Sequence, residues 1–585
     1  MQAETAATLS LRSLLNCVAR EYSDIASWKN GAGGLSFVIA FPKTGGTLSV
    51  PVLYRSATGH HLFGDETSLT EAGAKRSLTP AEAADLIVER LEPGDAAKDG
   101  REDLLNRLRS SRRLIAQALD AREGDLAGLA GSHVTFIEAE QGLIAGHGVH
   151  PCPKSREGMN EAQSRRYSPE FAAGFALRWF AVDRRVAHGG HSAGSPAPEA
   201  WIDQACGAEL EGIRARFPAD NYALLPVHPW QADHMLADPD VAALAEKGLI
   251  VDCGEAGGLW YPTSSVRTLY RPDAPFMLKL SLGVGITNSV RVNLARELLR
   301  GDDMYRFRAS PLWQDFQSRY PGLTLIPDPA YLGVTSSGEV IDGLSVSMRE
   351  NPFHGAGAER NVSLFASLCE HLPERGSRLG ALIRDVAARE GRPLDEAATA
   401  WFERFLTVFV RPVFALYLKF GIAMEAHQQN MLIEIEDGYP VGTLYRDNQG
   451  FFHHHRGHEA LVKVLPELGI ASESVFGEEP VDERLLYYAF INSTLGMIGA
   501  LGREGLVDEA VLLAMLRAEL QSLHDAEGGQ SELVAKMLAP TLLTKGNLRT
   551  RFAQMDELVG PLETQSVYLA LENPLAARTR ELAYA

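Results

Sequence analysis

The stretch from Ala423 to Gly450 holds the densest set of side chains that could bind a metal and a phosphate. Its polar residues are, in order, Glu425, His427, Gln429, Asn430 and Asp447. Alternating apolar residues at 431–436, a turn at 437–440 and a second run to 445 predict a β-hairpin. The hairpin would bring Asn430 and Asp447 to one end of two paired strands, as in kinase-type enzymes that hold Mg²⁺ over nucleotide phosphates. Glu425 and His427 would face one side of an extended segment.

A second candidate group surrounds Lys279, which lies in an apolar run, residues 276–282, that is predicted to be a strand. A lysine buried there needs an anionic partner, because an unpaired buried charge is costly. The alternative is an edge-strand lysine that points to water. The first interpretation gains weight from the polar and basic residues nearby, which are Ser265, Arg267, Thr287 and Arg291. We expect residues 286–291 to open a helix, on which Thr287 and Arg291 share one face.

The loop from Gly146 to Gly158 is the third candidate. It contains His150, Lys154 and Arg156, and two prolines stiffen it. Basic donors on a rigid loop suit a polyanion such as a triphosphate or a polycarboxylate. An ordinary solvated loop is the alternative, and this motif alone does not decide between the two.

Three further patterns carry less weight. Residues 190–194 match the G-x-S-x-G nucleophile elbow, but they lie in a predicted Gly/Ser/Pro-rich loop at 185–200 that lacks the required strand and helix. Gly283-Val284-Gly285 is a weak phosphate-loop signal without a Walker A or a full G-x-G-x-x-G motif. In a strand, His453–His455 would alternate faces, so at most two could share a metal. We expect a substrate-contacting or solvent-facing loop there.

Composition excludes several classes of protein. The formal net charge of the 585-residue chain is −19, which argues against nucleic-acid binding and means that an anionic substrate needs a local basic pocket. The five cysteines are scattered without a C-x-x-C pair, as expected in a reducing compartment. The N-terminus does not read as a secretory signal, and the apolar run 401–424 carries charges typical of a buried helix. We expect a cytoplasmic protein without a membrane partner.

We expect an α+β chain of three parts. Residues 1–135 form an accessory α/β region that packs or shapes one wall of a cleft, residues 136–390 a central domain, and residues 391–585 a mostly helical domain that carries the hairpin. The predicted helices are 11–22, 80–91 (from a capping box at Thr79 to Pro93-Gly94), 101–121, 363–389, 394–418 and most of 481–585, and the predicted N-terminal strands are 35–41 and 47–54.

Taken together, the motifs resemble those of the NRPS-independent siderophore synthetases, the IucA/IucC family. The resemblance covers about residues 140–570. Its motifs are His150-Pro151-x-x-Lys154-x-Arg156-x-Gly158, His228-Pro229-Trp230-Gln231, Lys279 with Ile286-Thr287-Asn288-x-x-Arg291, and Glu425-x-His427-x-Gln429-Asn430 with Arg446-Asp447. Each motif is weak alone, but their order and spacing are specific. One departure is Gly148, where the family pattern has a proline after His147.

The resemblance implies a ligase that adenylates a carboxylate, commonly of citrate, with ATP and Mg²⁺. An amine, hydroxylamine or alcohol then attacks the acyl-adenylate to give an amide or ester. The implied ATP contacts are His150, Lys154, Arg156, Lys279, Thr287, Arg291, Gln429, Asn430 and Asp447. The implied Mg²⁺ ligands are Glu425, Asn430 and Asp447. The implied carboxylate contacts are Ser265, Arg267, Thr287, Arg291 and His427. Catalysis would rest on Lys279, Arg291 and His427.

The family also implies a cupped-hand architecture with a central part rich in antiparallel sheet, and a homodimer. Two other functions stay open. A kinase-like phosphotransferase would release ADP, but it needs an aspartate near His427, where Gln428 and Gln429 stand. A ferric-siderophore reductase or binding protein is suggested by the C-terminal part, but an iron–sulfur cluster needs clustered cysteines and Cys369 is the only one after residue 253. The alternatives to citrate are 2-oxoglutarate and a half-amidated citrate.

Overall fold

The structure is a computed structural model that describes residues 1–31, 33–92, 100–287, 289–526, 529, 531–555 and 566–576. Its first elements are α1 (Gln2–Glu21), β1 (Ala26–Gly31), β2 (Gly34–Ala40), β3 (Thr47–Tyr54), β4 (Leu62–Phe63), β5 (Thr67–Glu71), β6 (Ala74–Leu78), α2 (Pro80–Arg90) and α3 (Arg101–Ala121). The strands form one antiparallel sheet in the order β1-β2-β3-β5-β6, with β4 paired to β3.

The helices and strands predicted for this N-terminal region are present, but α1 begins at Gln2 and not at residue 11, and β1, β4, β5 and β6 were not predicted. Both hydrogen bonds of the capping box at Thr79 are present: the Thr79 amide donates to Glu82 Oε2 at 2.8 Å, and the Glu82 amide donates to Thr79 Oγ1 at 3.3 Å. The predicted stop at Pro93-Gly94 lies outside the described residues. Side chains of the helices and the sheet share one apolar core, which includes Leu14, Phe37 and Leu108.

The central elements surround a nine-stranded antiparallel sheet. They are α4 (Phe136–Gln141), α5 (Glu161–Tyr167), β7 (Phe175–Asp183), β8 (Ala187–His191), α6 (Pro198–Cys206), α7 (Glu211–Arg216), β9 (Tyr222–Val227), α8 (Pro229–Leu236), α9 (Pro239–Glu246), β10 (Ile250–Pro262), β11 (Thr268–Tyr270), β12 (Phe276–Leu280), β13 (Leu282–Ile286), β14 (Ser289–Arg291), α10 (Ala295–Ala309), α11 (Pro311–Arg319), β15 (Leu323–Ile326), β16 (Ala330–Ser336), β17 (Glu339–Val340) and β18 (Val346–Glu350). The sheet order is β17-β16-β18-β12-β11-β10-β7-β9, with β8 on β16.

The remaining elements are mostly helical, as predicted. They are β19 (Val362–Leu364), α12 (Phe365–Cys369), α13 (Arg378–Glu390), α14 (Leu394–Phe405), α15 (Arg411–Phe420), β20 (Ile422–Met424), β21 (Met431–Glu436), β22 (Tyr439–Arg446), β23 (Phe451–His454), α16 (His455–Leu461), β24 (Val475–Phe476), α17 (Glu478–Leu485), α18 (Gly496–Arg503), α19 (Glu509–Ala526), α20 (Glu532–Leu538), β25 (Thr541–Lys545), α21 (Asn547–Phe552) and β26 (Tyr568–Glu572). Two π-helical segments, Leu406–Val410 and Leu486–Leu495, continue α14 into α15 and α17 into α18.

The predicted hairpin is confirmed as β21 and β22, which pair antiparallel from Met431↔Tyr445 to Glu436↔Tyr439. Strand β15 pairs parallel to β22, with Ile326 opposite Arg446, and so attaches the hairpin to the central part of the chain. Within the described residues, one helix, Glu478–Arg503, has the length and hydropathy of a membrane span, and 94% of its most apolar window is buried inside the protein.

Apolar cores mix segments that are distant in sequence. Met304, Phe316 and Leu325 pack in the same core as the C-terminal helices, and Leu548 and Phe552 pack in the N-terminal core. These contacts cross the predicted divisions at residues 135 and 390, which stay a prediction.

Several local predictions are wrong. Residues 286–291 do not open a helix: β13 and β14 form a tight hairpin, with Ile286 opposite Ser289, that turns where Thr287 adopts a left-handed φ of 54°. Asn288 lies outside the described residues. Residues 187–191 are not loop but strand β8, paired to β16. The predicted helix 363–389 is interrupted, with β19 and a loop before α13.

The histidine run is also not a loop. His453 lies within β23 with its ring fully buried, and His454 caps α16 by accepting the amide N–H of Gly457 at 3.0 Å. Near the C-terminus, β25 and β26 pair as a ladder where helix was expected.

Candidate functional site

One cavity of about 320 Å³ brings all of the predicted site residues together. The shared wall includes His150, Lys154, Arg156, Ser265, Arg267, Lys279, Thr287, Arg291, Glu425, His427, Gln429, Asn430 and Asp447. It is built from the loop before α5, strands β11 to β14, the end of the β21–β22 hairpin, the π-helical segment after α17, and the end of β25. Residues from distant segments of the sequence therefore meet in one chamber.

Lys279 has the anionic partner that its burial requires. Strand β12 lies between β11 and β18, so Lys279 is on an interior strand, and the edge-strand alternative is wrong. The lysine is 4% exposed, and its Nζ donates to Asp447 Oδ1 at 2.5 Å. Arg349 Nη2 is 3.9 Å from the same oxygen. Burial alone would raise the pKa of Asp447, but Lys279 and then Arg349 hold it well below its usual range, so this carboxylate is ionised.

Asp447 sits on unusual backbone. Its φ of 94° is a region that residues other than glycine rarely adopt, at a cost of order 1–3 kcal/mol. The conformation is fixed from several sides: Tyr445 Oη donates to the Asp447 carbonyl at 2.7 Å, and the Asp447 carboxylate accepts the Gln449 amide N–H at 3.3 Å. The fold therefore holds this carboxylate in place at the end of β22.

Asn430 lies beside Asp447, as the hairpin predicts. The amide N–H of Arg446 donates to the Asn430 carbonyl at 3.1 Å, and Asn430 Nδ2 is 3.5 Å from Asp447 Oδ2. Amide and carboxylate oxygens are the ligands that Mg²⁺ prefers when it also binds nucleotide phosphates. Asn430 and Asp447 fit that mode of binding. Among the described residues, no group of three His, Cys, Asp or Glu side chains is placed to hold a metal by itself.

Glu425 is engaged elsewhere in this arrangement. Its carboxylate forms an ion pair with Arg484, and both side chains are largely buried. The segment is not extended as expected, because the amide N–H of His427 donates back to the Glu425 carbonyl at 2.8 Å in a tight turn. Glu425 could join a metal only after its ion pair with Arg484 opens.

Thr287 and Arg291 meet across the β13–β14 hairpin and not along a helix. Arg291 Nη2 donates to Thr287 Oγ1 at 2.8 Å and to the Ile286 carbonyl at 3.0 Å. The two side chains are therefore in contact, but the shared helical face that was predicted for them is wrong.

Arg267 connects this hairpin to the Asp447 side of the cavity. It donates to Asn293 Oδ1 at 2.8 Å and to Gln449 Oε1 at 2.7 Å. Burial, followed by the charge of Arg291, lowers the pKa of Arg267 to about 10, so it stays charged at neutral pH. Ser265 Oγ accepts the Thr268 amide N–H at 3.1 Å, which orients the hydroxyl.

His427 and His150 face the cavity as neutral hydrogen-bond donors. His427 Nδ1 accepts the Gln429 amide N–H at 3.2 Å, and His150 Nδ1 accepts that of Cys152 at 3.2 Å. Each ring therefore carries its proton on Nε2. Burial lowers the pKa of His427 to about 3, because no nearby anion outweighs the loss of water.

Lys154 and Arg156 share a buried carboxylate. Glu170, which is fully buried, lies 3.5 Å from Lys154 Nζ and 3.2 Å from Arg156 Nη2. Their charges reach the cavity wall, but Glu170 offsets part of them. Both residues fit a supporting electrostatic role better than a direct contact with phosphate.

Several lining residues lie after residue 481, where the sequence analysis assigned helix and no candidate site residue. They are Tyr487, Tyr488, Asn492, Lys545 and Asn547. Lys545 Nζ donates to Tyr488 Oη at 2.9 Å. Tyr487 and Tyr488 lie in the π-helical segment Leu486–Leu495, and such segments are often found at functional sites. No motif marks a π-helical turn in a sequence.

The cavity is strongly cationic although the chain is acidic. Eleven Lys and Arg side chains line it, against three carboxylates. Three more buried carboxylates, which do not line the cavity, form ion pairs with lining arginines: Glu140 with Arg446, Glu170 with Arg156 and Asp328 with Arg349. The lining cations still outnumber all of these carboxylates. A chamber of this charge inside a chain of net charge −19 is built to hold polyanions.

Comparison with known proteins gives a consistent result. Residues 135–370 match the IucA / IucC family, and residues 399–560 match the family described as "Ferric iron reductase FhuF-like transporter". The chain is 68% identical over its full length, and the full length of the relative, to "Rhizobactin siderophore biosynthesis protein RhbC" of Rhizobium meliloti (strain 1021). It is 34% identical to "Spermidine-citrate ligase" of Bacillus anthracis over 90% of this chain and 88% of that protein.

The fold agrees with this relationship. The ATP-bound aerobactin synthetase IucA of Klebsiella pneumoniae superposes with a TM-score of 0.87 at 29% identity, over 97% of this chain and 99% of that chain. The expected α+β architecture is thereby confirmed.

Proposed function

The chain belongs to the IucA/IucC family and is a ligase of siderophore biosynthesis, and from this premise we propose that it uses ATP and Mg²⁺ to join citrate to an amine. Citrate is the carboxylate named in the B. anthracis relative, and spermidine is the amine named there. The observation that carries the proposal is the excess of cations around the cavity that holds Lys279 and Asp447. Citrate and ATP together bring several negative charges into one chamber, and only such a field stabilises them in close contact.

In the first step, a citrate carboxylate oxygen attacks the α-phosphorus of ATP, the bond to the bridging oxygen breaks, and pyrophosphate leaves. Lys279 and Arg291 both line the cavity and would stabilise the charge that develops on the phosphate oxygens. Asn430 and Asp447 would hold Mg²⁺, with Glu425 joining if its ion pair opens. When bound, the metal neutralises phosphate charge. Gln429 would line the nucleotide pocket, and Lys154 and Arg156 would add positive potential.

In the second step, the amine nitrogen attacks the citryl carbonyl, AMP leaves with the former carboxylate oxygen, and an amide forms. The neutral His427 Nε2–H, the Arg267 guanidinium and Ser265 Oγ would orient the citrate carboxylates. His427 would act as a hydrogen-bond donor and not as a base, because its Nδ1 already accepts the Gln429 amide N–H and its lowered pKa makes the ring a weak proton acceptor.

Two other functions have less support. A phosphotransferase would need a carboxylate near His427 to accept a hydroxyl proton, and the turn supplies Gln428 and Gln429 instead. The FhuF-like match at residues 399–560 covers the hairpin. An iron–sulfur cluster needs grouped cysteines, but Cys369 is the only cysteine after residue 253. We further propose a cytoplasmic protein that binds no nucleic acid, because ATP is a cytoplasmic substrate and the chain is acidic overall. The family resemblance adds the proposal that it forms a homodimer.

The test supplies ATP, Mg²⁺, citrate and hydroxylamine. We expect citrate-dependent release of pyrophosphate and AMP, together with citryl hydroxamate. The reaction should stop when EDTA removes the metal. The same mixture with 2-oxoglutarate in place of citrate tests the choice of carboxylate. Formation of ADP, or the absence of carboxylate-dependent turnover, would contradict the proposal.

A further inference from the structure

A second cavity of about 290 Å³ lies directly behind the β13–β14 hairpin. It shares Thr287 and Ser289 with the cationic cavity, so one thin hairpin separates the two chambers. The hairpin wall also carries Arg291, which the proposed function assigns to the phosphates. A ligand in the second chamber would therefore lie next to the acyl-adenylate without competing with ATP for space.

The charges of the second chamber differ from those of the first. Its charged lining residues are Asp103, Arg107, Glu157 and Arg551. Arg107 Nε donates to Asp103 at 2.8 Å, and Arg107 also pairs with Glu157. Arg551 donates to the backbone carbonyl of Met555. The chamber is thus close to neutral, whereas the first chamber repels cations.

Glu157 is built into the hairpin wall. Its amide and carbonyl exchange two backbone hydrogen bonds of 3.0 Å with Gly285. A Cβ on Gly285 would lie 2.6 Å from Glu157 Oε2, so the carboxylate rests directly against the hairpin because this position is glycine. The Glu157 side chain is still 55% exposed, and solvent molecules can therefore reach it.

We propose that this second chamber receives the amine nucleophile as its ammonium, with Glu157 and Asp103 as the residues that position it. The inference rests on the proposed function. While ATP and citrate are absent, the cationic chamber disfavours an ammonium, so the amine first binds beside the hairpin, then releases its proton to solvent and reaches the citryl carbonyl as the neutral amine. Two carboxylates that already share Arg107 can each accept further N–H donors. The ligand class is a primary amine that is protonated in solution.

The test compares a charged nucleophile with an uncharged one. Hydroxylamine is neutral at neutral pH and needs no carboxylate, whereas spermidine, 1,4-diaminobutane and L-lysine arrive as cations. For Glu157→Gln and Asp103→Asn, we expect the KM of the amine that wild type uses best to rise about tenfold or more, as for loss of a charge-assisted hydrogen bond. Citryl hydroxamate formation should stay within about twofold of wild type, because adenylation is untouched.

Glu255→Gln is the matched control, since Glu255 is an exposed carboxylate paired with Arg166 at 2.9 Å and lines neither cavity. An unchanged amine KM in both variants would overturn the inference, and so would a parallel loss of hydroxamate formation. A second test measures the binding of spermidine, 1,4-diaminobutane and L-lysine to the full chain by calorimetry in the absence of ATP. Binding to wild type that weakens in Glu157→Gln supports the chamber, and equal or absent binding contradicts it. If wild type forms no hydroxamate, the proposed function fails, and calorimetry still decides the inference.

Discussion

At the scale of single residues, the site depends on how the backbone sets the state of each side chain. His150, His228 and His427 each accept the amide N–H two residues ahead, at 3.1–3.2 Å. This short turn fixes the ring and places its proton on Nε2 without help from a carboxylate. Lys279 and Asp447 differ from these histidines because their charged states depend on a contact between distant segments of the chain. Each buried charge is stabilised by its ion pair with the other.

Arg291→Ala should abolish pyrophosphate release while leaving the protein folded. The side chain bonds to its own hairpin, at Thr287 and Ile286, and the apolar cores do not depend on it. Removing the guanidinium takes away charge stabilisation in the transition state, at a cost of at least ~100-fold in rate. Pyrophosphate release and the midpoint of thermal unfolding are measured together, with Arg319→Ala on the exposed face of α11 as control. Near-normal release in Arg291→Ala would show that the adenylation site is misplaced.

Acid should destabilise the protein through its buried histidines. Burial lowers the pKa of His228, His427 and His453 to about 3, below an unfolded value of about 6.5. The folded state therefore binds fewer protons than the unfolded chain. The contribution of each buried histidine to the free energy of unfolding is complete above pH 6.5. It is lost as the pH falls toward 3, by up to ~1.4 kcal/mol per pH unit for each histidine.

His453→Phe isolates one of these groups, because neither ring nitrogen of His453 has a hydrogen-bond partner in the structure and the residue lies outside the cavity. Urea unfolding at pH 7, 6 and 5 should show a shallower loss of stability than in wild type. His455→Gln, at an exposed position two residues on, is the control. An identical pH slope in His453→Phe and wild type would contradict the assignment.

At the scale of elements, a glycine-lined helix brings the N-terminal region to the site. On α18, Gly496, Gly499 and Gly502 follow one another at three-residue steps. A Cβ on Gly499 would lie 2.7 Å from both His60 Cβ and Thr58 Oγ1, so the loop between β3 and β4 packs directly on the helix backbone. The N-terminal region thus packs behind the wall that carries Gln428, which agrees with the predicted role of packing or shaping one wall of a cleft.

Gly499→Ala should separate this loop from the helix. The new methyl group has no room, and overpacking of this kind costs about 1–3 kcal/mol. Gly212→Ala in the exposed helix α7 meets nothing within 4 Å and should be neutral or slightly stabilising. Chemical denaturation of both variants provides the measurement. A Gly499→Ala protein as stable as wild type would show that the loop does not press on the helix.

The sequence predicted the hairpin and the buried lysine because both are local patterns with a clear physical cost. Alternation and a turn fix β21 and β22, and a lysine inside an apolar run demands a partner. The helix predicted at 286–291 was wrong because a four-residue spacing between two side chains fits a tight hairpin as well as a helix face. Lys545 and Tyr488 could not be found, since only tertiary packing and a π-helical turn bring them to the cavity.

At the scale of the whole molecule, distant segments close around one chamber. Asp447 pairs with Lys279 across 168 positions, and Arg446 pairs with the buried Glu140 at 2.6 Å. The chain then returns to its beginning, where Glu21 at the end of α1 accepts the amide N–H groups of Leu548 and Arg549 at 2.9 and 2.8 Å. The cationic chamber is therefore a property of the complete fold and of no single segment.

The most direct test of the adenylation claim follows the oxygen atoms. Citrate labelled with ¹⁸O in its carboxylates is incubated with enzyme, ATP, Mg²⁺ and an amine, and the AMP and phosphate products are analysed by mass spectrometry. Attack of the carboxylate on the α-phosphorus predicts one ¹⁸O atom in each AMP and none in pyrophosphate. Label in inorganic phosphate with ADP as the nucleotide product, or AMP without label, would contradict the account.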